Sequence, residues 1–505
     1  MTATFAAGTM AGMLERRAPA AIALALLLGL VGQVLFFHQP LGLNALLITA
    51  LFLAAAWSQR DRSAPLRASD AWLPASALAF AAFCAVRADG PLLAFDAVAA
   101  IGCAAATVIA WSGVPISVLP VARLVAEGWS LSGRLLLGAA DVLVPAWPRL
   151  RLAPRRFARA SGYAGGVGLA APFVVIFAVL FSSADAVFAR SLENVFDLKR
   201  LADLLGETPG RLFIALAFAW PAAGALAALW RMPRDYLVSR SRSLLAAETA
   251  TVTLILVAAL FAMFVTLQLA YLFGGRDTLD AAAISYSAYA RRGFFELIAA
   301  VALVGALLFG LELAVLDRGR VYLAAALTLL ALTALVLVSA WYRLDLYQQA
   351  YGWTELRFYA NCAIAFLALA LLLFAWRVVR GRMSYALQPL AMAVVLVAFA
   401  ANAIGPAAFV ARANIARVLD PSGLPEDAAR GLDADHLATL GGGAIVELVD
   451  AFPRLPLSQR LYADILLRIE LSRRDEGRAP DWQGWNLERE RARLALIHAR
   501  DELLR

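Results

Sequence analysis

Three strings of polar and aromatic residues interrupt a largely apolar chain, and any chemistry would be sought there first. The first is Tyr286-Ser-Ala-Tyr289-Ala-Arg291-Arg292-Gly-Phe-Phe-Glu296, in which Tyr286, Tyr289 and Glu296 share one helical face. A carboxylate just inside an apolar segment costs ~2.5 kcal/mol or more when unpaired. Glu296 is therefore either a proton- or substrate-linked group or half of a structural ion pair with Arg292, four residues before it.

The second string, from Arg343 to Asn361, lies between two apolar runs and mixes aromatic, acidic and basic residues. Gly352 suits a left-handed helix stop, and Thr354 suits the N-cap of a following helix with Glu355 in its first turn. Much of the string is therefore ordinary connector chemistry. Its candidate functional residues are Tyr347, Tyr351, Glu355 and Arg357.

The third string runs from Leu180 to Phe188, where Ser183 or Asp185 could end or cap a helix. Together with Glu296, Glu355 and the neighbouring arginines, Asp185 could form an enzyme site for a lipid-linked substrate. Carboxylates act as general bases, and arginines bind phosphate. We add Asp185 to the candidate functional cluster.

Catalytic and metal-binding motifs are absent from the sequence. The single lysine, Lys199, does not follow the glycines of a phosphate-binding loop, and the three histidines are far apart. All three cysteines fall inside apolar runs, which argues against a disulfide or metal framework. We predict no cofactor, no metal and no identifiable catalytic residue, and we favour a protein that is not an enzyme.

The elements that must position these strings are transmembrane helices. The chain has 505 residues, of which 62% are hydrophobic and only 16% charged, too few charges to cover soluble domains of this size. Apolar runs of about 17 to 25 residues can cross the hydrocarbon core of a bilayer. We identify eleven: Pro19–Phe37, Leu41–Trp57, Ala71–Val86, Pro91–Trp111, Tyr163–Ser183, Arg211–Trp230, Glu248–Phe273, Phe294–Val315, Val321–Tyr342, Phe358–Arg377 and Tyr385–Gly405.

The distribution of basic residues predicts orientation. With a cytoplasmic N-terminus, the cytoplasmic segments hold 21 Arg and Lys residues and the opposite side holds 10, as the positive-inside bias requires. The basic residues are scattered between apolar segments, which argues against nucleic acid as a partner. We expect a multi-pass protein of the bacterial inner membrane, in contact with the lipid bilayer, with its C-terminal tail outside the cytoplasm.

The composition changes at Pro406, after which no apolar run is long enough to span a bilayer. We predict tail helices near 434–440, 444–452, 458–474 and 486–504, the last capped by Asn486. The predicted fold is all-α, a polytopic transmembrane bundle with a soluble helical C-terminal domain. Its regions are a four-span part at 1–162 with a basic cytoplasmic loop, a seven-span domain at 163–405 and the tail at 406–505.

Five strings, in this order, resemble signatures of two bacterial membrane-protein families known as domains of unknown function 4153 and 4173. They are the three above together with Ala411–Arg417 and Asp481–Leu487 of the tail. The resemblance extends from about Pro172 to the C-terminus and is closer to the second family. It implies a multi-span bacterial membrane protein with a tail domain, and it implies no reaction.

Counting spans places four segments on the same side of the membrane. They are the loop with Asp185, the loop with Arg291 and Arg292, the second string and the tail. The favoured hypothesis is a non-enzymatic envelope protein that uses these loops and the tail for binding, assembly or sensing, with the C-terminal domain binding a protein partner. One alternative is a small-molecule or ion transporter, which requires Glu296, Gln268, Asn361 and Asn402 to face one cavity. The other is a membrane enzyme acting on a lipid-linked substrate.

Overall fold

The structure is a computed structural model, and it is helical throughout the part of the chain that it describes. No strand occurs among the described residues. These are residues 2–120, 123–133, 135, 207–230, 245–273, 294–315, 318–381, 385–422, 424, 431–476 and 481–503.

The long helices follow the apolar runs. They are α1 Thr2–Phe36, α2 Leu43–Gln59, α3 Trp72–Val86, α4 Gly90–Trp111, α5 Thr208–Ala228, α6 Ala247–Phe273, α7 Phe294–Ala314, α8 Arg320–Tyr351, α9 Glu355–Arg380 and α10 Leu387–Ile404. Within the described residues, nine segments are long and apolar enough to span a membrane, and the 17-residue α2 is slightly shorter. The all-α class and the multi-pass character are therefore confirmed.

Ten of the eleven predicted spans have a helix at the expected place. The remaining one, Tyr163–Ser183, lies outside the described residues, so the total of eleven stays a prediction. Two helices extend well beyond the predicted spans: α1 begins at Thr2, before the predicted start at Pro19, and α8 continues to Tyr351, past the predicted end at Tyr342. The apolar run stops at Tyr342, but the residues that follow contain no proline or glycine before Gly352, so the helix does not break.

Two apolar cores organise the bundle. The first joins α1, α2, α4 and α5 around Leu28 and Leu226, and the second joins α6, α7, α8 and α9 around Leu308 and Leu329. Helix α10 connects to α3 and α4 through Phe399, whose ring centroid lies 5.1 Å from that of Phe80. These contacts fix the relative positions of the helix ends that carry polar residues.

The tail is also helical. Its helices are α11 Pro406–Leu419, α12 Ala434–Thr439, α13 Gly442–Ala451, α14 Leu457–Glu476 and α15 Leu487–Leu503. The four predicted tail helices are confirmed, whereas α11, which begins directly after the last span with a proline in its first turn, was not predicted as a helix.

The core of the tail includes three residues from the membrane helices: Leu92 of α4, Phe358 of α9 and Ala401 of α10. They pack with tail residues such as Val410 and Leu448. The tail thus packs directly on one end of the bundle, called the tail end below. Its character as a soluble domain, and the division at residues 162 and 405, stay predictions.

Candidate functional site

The polar residues of the described chain concentrate where the tail meets the bundle, and we call this contact the tail-docking interface. It consists of the turns at 37–42, 87–89 and 352–354, together with α11 and residues 481–489 of the tail. The turns are the ends of membrane helices, where backbone N–H and C=O groups lack intrahelical partners. The tail supplies side chains that satisfy them.

Asn414 of α11 binds the turn between α8 and α9. Its Oδ1 accepts a hydrogen bond from the backbone N–H of Trp353 at 2.8 Å, and its Nδ2 donates to the carbonyl of Trp353 at 2.8 Å. The turn depends on Gly352, whose φ of +76° is left-handed, and a Cβ there would lie 2.5 Å from Asn414 Oδ1. The predicted glycine stop is thus confirmed, and it also makes room for the tail.

Two arginines cover the carbonyl end of α8. Arg417 donates to the carbonyls of Gln348 at 3.2 Å, Gln349 at 2.7 Å and Ala350 at 3.3 Å. Positive charge at a helix C-terminus is favourable because the exposed carbonyls carry partial negative charge. Burial, with a smaller contribution from the nearby Arg357, lowers the pKa of Arg417.

Arg357 binds the same turn from α9. Its guanidinium donates to the carbonyl of Tyr351 at 3.2 Å and to that of Gly352, and lies 4.2 Å from the ring centroid of Tyr347. Thr354 Oγ1 accepts from the N–H of Arg357 at 3.4 Å, which confirms the predicted N-cap.

Asn486 connects the start of α15 to the end of α3. Its Oδ1 accepts from the N–H of Arg489 at 3.1 Å, so it caps α15 as predicted. Its Nδ2 donates to the carbonyls of Cys84 at 3.0 Å and Arg87 at 2.7 Å. One buried amide therefore satisfies groups at two helix ends that are about 400 residues apart in sequence.

A buried ion pair lies beside this amide. Arg87 and Glu488 are 2.5 Å apart, with side chains 17% and 7% exposed. Glu488 Oε2 also accepts from the N–H of Ala88 at 2.8 Å, and Arg87 donates to the carbonyl of Asn402 in α10. Removing one partner of such a pair leaves a buried charge uncompensated, which typically costs about 3–5 kcal/mol.

The turn between α1 and α2 is held by the tail backbone. The N–H of Leu43 donates to the carbonyl of Trp485 at 2.9 Å, and Gln39 Nε2 donates to Asp481 Oδ2 at 3.0 Å. A Cβ on Gly42 would collide with the Trp485 carbonyl oxygen. The Asp481–Leu487 string is therefore a bundle contact of the tail.

Asp89, beneath the tail, is 1% exposed, and neither carboxylate oxygen forms a hydrogen bond of ordinary geometry to any described residue. Burial first, then the charges of Glu488 and Glu355, raise the pKa of Asp89 to about 7, while the Ala407 backbone and Arg87 oppose the shift. This carboxyl is therefore poised to titrate near neutral pH.

A second acid lies deeper in α4. Asp96 is fully buried, and its Oδ1 accepts from Asn402 Nδ2 at 2.9 Å. This bond joins α4 to α10, as polar side chains commonly do between helices inside a membrane.

The structure brings together four of the ten sequence candidates: Tyr347, Tyr351, Glu355 and Arg357. The rings of Tyr347 and Tyr351 lie with centroids 4.9 Å apart. Glu296 is exposed in the first turn of α7. The other five candidates, and so the predicted pairing with Glu296, lie outside the described residues: Asp185, Tyr286, Tyr289, Arg291 and Arg292.

Sequence reasoning missed the most strongly polar part of the interface. From the sequence, Arg87 is only a loop charge and Glu488 only a favourable acid in the first turn of α15, and Asp89 has no assigned role. The available signal was an Arg-Ala-Asp turn between two apolar runs and an acidic residue two positions after a helix cap. Neither pattern identifies a partner hundreds of residues away.

The described residues include no group of three or more histidine, cysteine or acidic side chains arranged to hold a metal ion. The three cysteines are free. The tail-docking interface therefore consists of hydrogen bonds and ion pairs at helix ends.

Comparison with known families assigns the chain to one of them. A family model described as a domain of unknown function (DUF4153) matches residues 74–451, well over half of the chain. The protein therefore belongs to this family of uncharacterised function, with the family region extending from α3 to α13. The match begins about a hundred residues earlier than the sequence resemblance indicated, and it stops before the Asp481–Leu487 string.

Searches among curated proteins and among solved structures gave no match. The prediction that the related family 4173 is the closer one stays a prediction.

Proposed function

We propose that this protein is a non-enzymatic inner-membrane protein whose docked tail binds a protein partner. The observation that carries the proposal is an apolar stripe on α14. Leu457, Leu461, Ile465 and Ile469 are spaced by four residues and are 83%, 69%, 49% and 41% exposed. Exposed apolar surface of this kind on a non-spanning domain marks an interaction site.

The stripe is separate from the face that holds α14 in the tail. Ala463, Leu467 and Leu471, also spaced by four, are buried in the tail core. From Leu457 to Ile469 the stripe is about 18 Å long at the helical rise. That length suits an amphipathic helix of a partner, packed with its apolar face along α14.

The charges of α14 favour a protein over a lipid surface as the occupant. The helix has four arginines and four acidic residues. Helices that lie on membranes are instead rich in Lys and Arg on their polar face. We therefore commit to a protein partner with an apolar helix face.

The bundle has a clear role in this proposal, because the tail-docking interface fixes the orientation of the tail. Four sequence-distant elements, the turns after α1, α3 and α8 and the end of α10, lie at the same end as the tail. This agrees with the span count that places them on one side. We propose that this side is extracytoplasmic, on the basis of the 21:10 distribution of basic residues.

The partner proposal is tested by a photo-crosslinking amino acid at position 461 of the full-length protein in cells. We expect one discrete protein adduct that disappears when Ile465→Asp is added. Thr439→Asp is the matched control, since it adds the same charge at an exposed position of α12. Crosslinks to lipid alone, or a protein adduct that survives Ile465→Asp, would overturn the proposal.

Orientation is tested separately with reporter fusions after Arg159, Asp280, Gly352 and Arg505. Activity of an extracytoplasmic reporter at Gly352 and Arg505, with cytoplasmic reporter activity at Arg159, is the expected result. The reverse assignment at Gly352 would contradict the proposed sidedness.

The transporter alternative receives less support from the described residues. Asn402 bonds to Asp96, Asn361 donates to the carbonyl of Arg357 within its own helix at 2.9 Å, and Glu296 is exposed. Neither these bonds nor the exposure of Glu296 supports a shared polar cavity. The enzyme alternative rests on Asp185, which lies outside the described residues, and on Glu296 and Glu355, of which Glu296 is exposed.

A further inference from the structure

An apolar groove runs down the side of the bundle between α4, α9 and α10. Its volume is about 370 Å³, within the range of small-molecule sites in proteins. Its walls are almost entirely hydrocarbon, and they are formed by Pro91, Leu92, Phe95, Tyr359, Cys362, Ala363, Phe366, Val394, Val397, Ala398 and Ala401.

The groove lining covers about 10 Å of α9 and of α10, and its deepest residues lie near the middle of the membrane. On α9, Phe366 lies eleven residues after Glu355, the first residue of the helix, or about 16 Å along the axis. On α10, Val394 lies ten residues before the helix end at Ile404, or about 15 Å. The hydrocarbon core of a bilayer is about 30 Å thick, so the groove extends from the tail end to roughly the middle of the membrane.

The tail end of the groove is polar and acidic. Glu355 lies one helical turn before Tyr359 on the same face of α9, and therefore directly above the groove. It forms no hydrogen bond or ion pair to any described residue, although His436 of α12 is near enough to interact electrostatically. Asp89, two residues before the groove residue Pro91, also lies near Tyr359, whose buried hydroxyl has no hydrogen-bond partner among the described residues.

The nearest arginines do not neutralise this end. Arg87 is paired with Glu488 and donates to the Asn402 carbonyl, and Arg357 binds the carbonyls of Tyr351 and Gly352. The groove therefore combines a hydrocarbon surface that reaches towards the middle of the membrane with a carboxylate at the level of the lipid headgroups. An alkyl chain bearing a cationic hydrogen-bond donor complements both parts.

We propose that this groove is a binding site for a bilayer phospholipid with a primary ammonium headgroup. One acyl chain lies along Ala363 and Phe366, and the ammonium group donates to Glu355, with the Tyr359 hydroxyl between headgroup and chain. The site is independent of the α14 stripe, so either proposal can fail without the other.

Binding of the acyl chain in the groove is tested by native mass spectrometry of the full-length protein with phosphatidylethanolamine. The wild-type protein is expected to retain one lipid after extensive delipidation. Ala363→Trp fills the groove and is expected to reduce retention at least tenfold. Ala365→Trp is the matched control, since Ala365 is equally exposed on α9 but does not line the groove.

Recognition of the ammonium headgroup by Glu355 is tested with three lipids that have the same acyl chains. Phosphatidylethanolamine offers N–H donors, phosphatidylcholine carries a cation without them, and phosphatidylglycerol has no cation. We expect about a tenfold preference for phosphatidylethanolamine over phosphatidylcholine, lost in Glu355→Gln, because a charged hydrogen bond contributes on that scale.

Several results would overturn the proposal. They are no retained lipid in the wild-type protein, equal retention in the two tryptophan variants, or equal binding of the three lipids. If Ala363→Trp does not fold, Ala363→Leu with Ala365→Leu gives the same comparison with smaller side chains.

Discussion

Two contacts, one inside the membrane and one at its edge, hold the described helices together by different means. Inside the membrane, α1 packs on α5 through glycines: a Cβ on Gly29 would lie 2.5 Å from the Ala215 carbonyl oxygen, and one on Gly32 would lie 2.6 Å from the Phe218 ring. At the tail-docking interface, the contacts are amides, guanidinium groups and carboxylates bound to helix ends.

The difference follows from what each environment leaves unsatisfied. In lipid, helix association gains little from burying apolar surface, so close backbone approach through small residues matters most. At helix ends, unpaired N–H and C=O groups remain, and side chains that bind them are stabilising. Four substitutions, taken from the largest expected effect to the smallest, test this contrast.

The first is Glu488→Gln, which leaves Arg87 buried without its counter-charge. We expect tail docking to weaken by about 3–5 kcal/mol. Hydrogen exchange gives the measurement directly, because the N–H groups of Leu43, Ala88 and Trp353 are bonded to tail atoms. Their protection should fall.

The control for this change is two residues away on the same helix. Glu490 pairs with Arg493 at 2.7 Å in an exposed (i, i+3) ion pair, and such pairs contribute less than about 1 kcal/mol. Equal effects of Glu488→Gln and Glu490→Gln would show that burial of the ion pair does not matter.

The second is Asp89→Asn, which tests the titration of the buried acid. Its pKa is 3.8 when exposed and about 7 in the docked protein. The docked form therefore holds a proton that the undocked form releases between these values. Docking should be strongest below pH 4, weaken as the pH rises to about 7 and then level off, with an upper bound of about 4 kcal/mol for the change.

In Asp89→Asn, the exchange protection of the Leu43, Ala88 and Trp353 N–H groups, corrected for intrinsic exchange rates, should no longer depend on pH in this way. Docking at pH 7 should become stronger. Asp61→Asn serves as the control, since a hydrogen bond from the Ser63 backbone lowers the pKa of Asp61. Retention of the full slope in Asp89→Asn would assign the titration to another group.

The fold was largely predictable because long apolar runs and helix-end signals are local. Gly352, Thr354 and Asn486 each have the conformation or bond that their residue types predict. The end of α8 was misplaced because hydropathy marks where a helix leaves the apolar region, whereas the helix itself stops at Gly352.

The interface was only half predictable. The Tyr347–Arg357 and Ala411–Arg417 strings were both noticed, but nothing local shows that Asn414 binds Trp353, 61 residues away. The Arg87–Glu488 pair spans 401 positions. Side-chain type identifies a polar group, whereas its partner depends on how the helices pack.

The third substitution, Gly29→Val, tests the contact inside the membrane. The new side chain would meet the backbone oxygen of Ala215, which cannot move without displacing α5. We expect a loss of about 1–3 kcal/mol, typical of overpacking, measured as a lower unfolding midpoint in detergent. Gly102→Val in α4 makes the same change where no atom lies within 4 Å and should leave the midpoint within error. Protection of the tail-bound N–H groups should not change.

The smallest effect is expected for Asn414→Ala, which removes two neutral hydrogen bonds to Trp353. Each such bond contributes about 0.5–1.5 kcal/mol, and the turn is partly exposed, so docking should weaken by about 1–2 kcal/mol. Protection should therefore fall slightly at Leu43 and Ala88, whose N–H groups are bonded to other parts of the tail. Asn361→Ala is the matched control because, among the described residues, that amide bonds only to the Arg357 carbonyl of its own helix. Unchanged protection at Leu43 and Ala88 would contradict docking of the tail as one unit and would show that α11 and α15 dock separately.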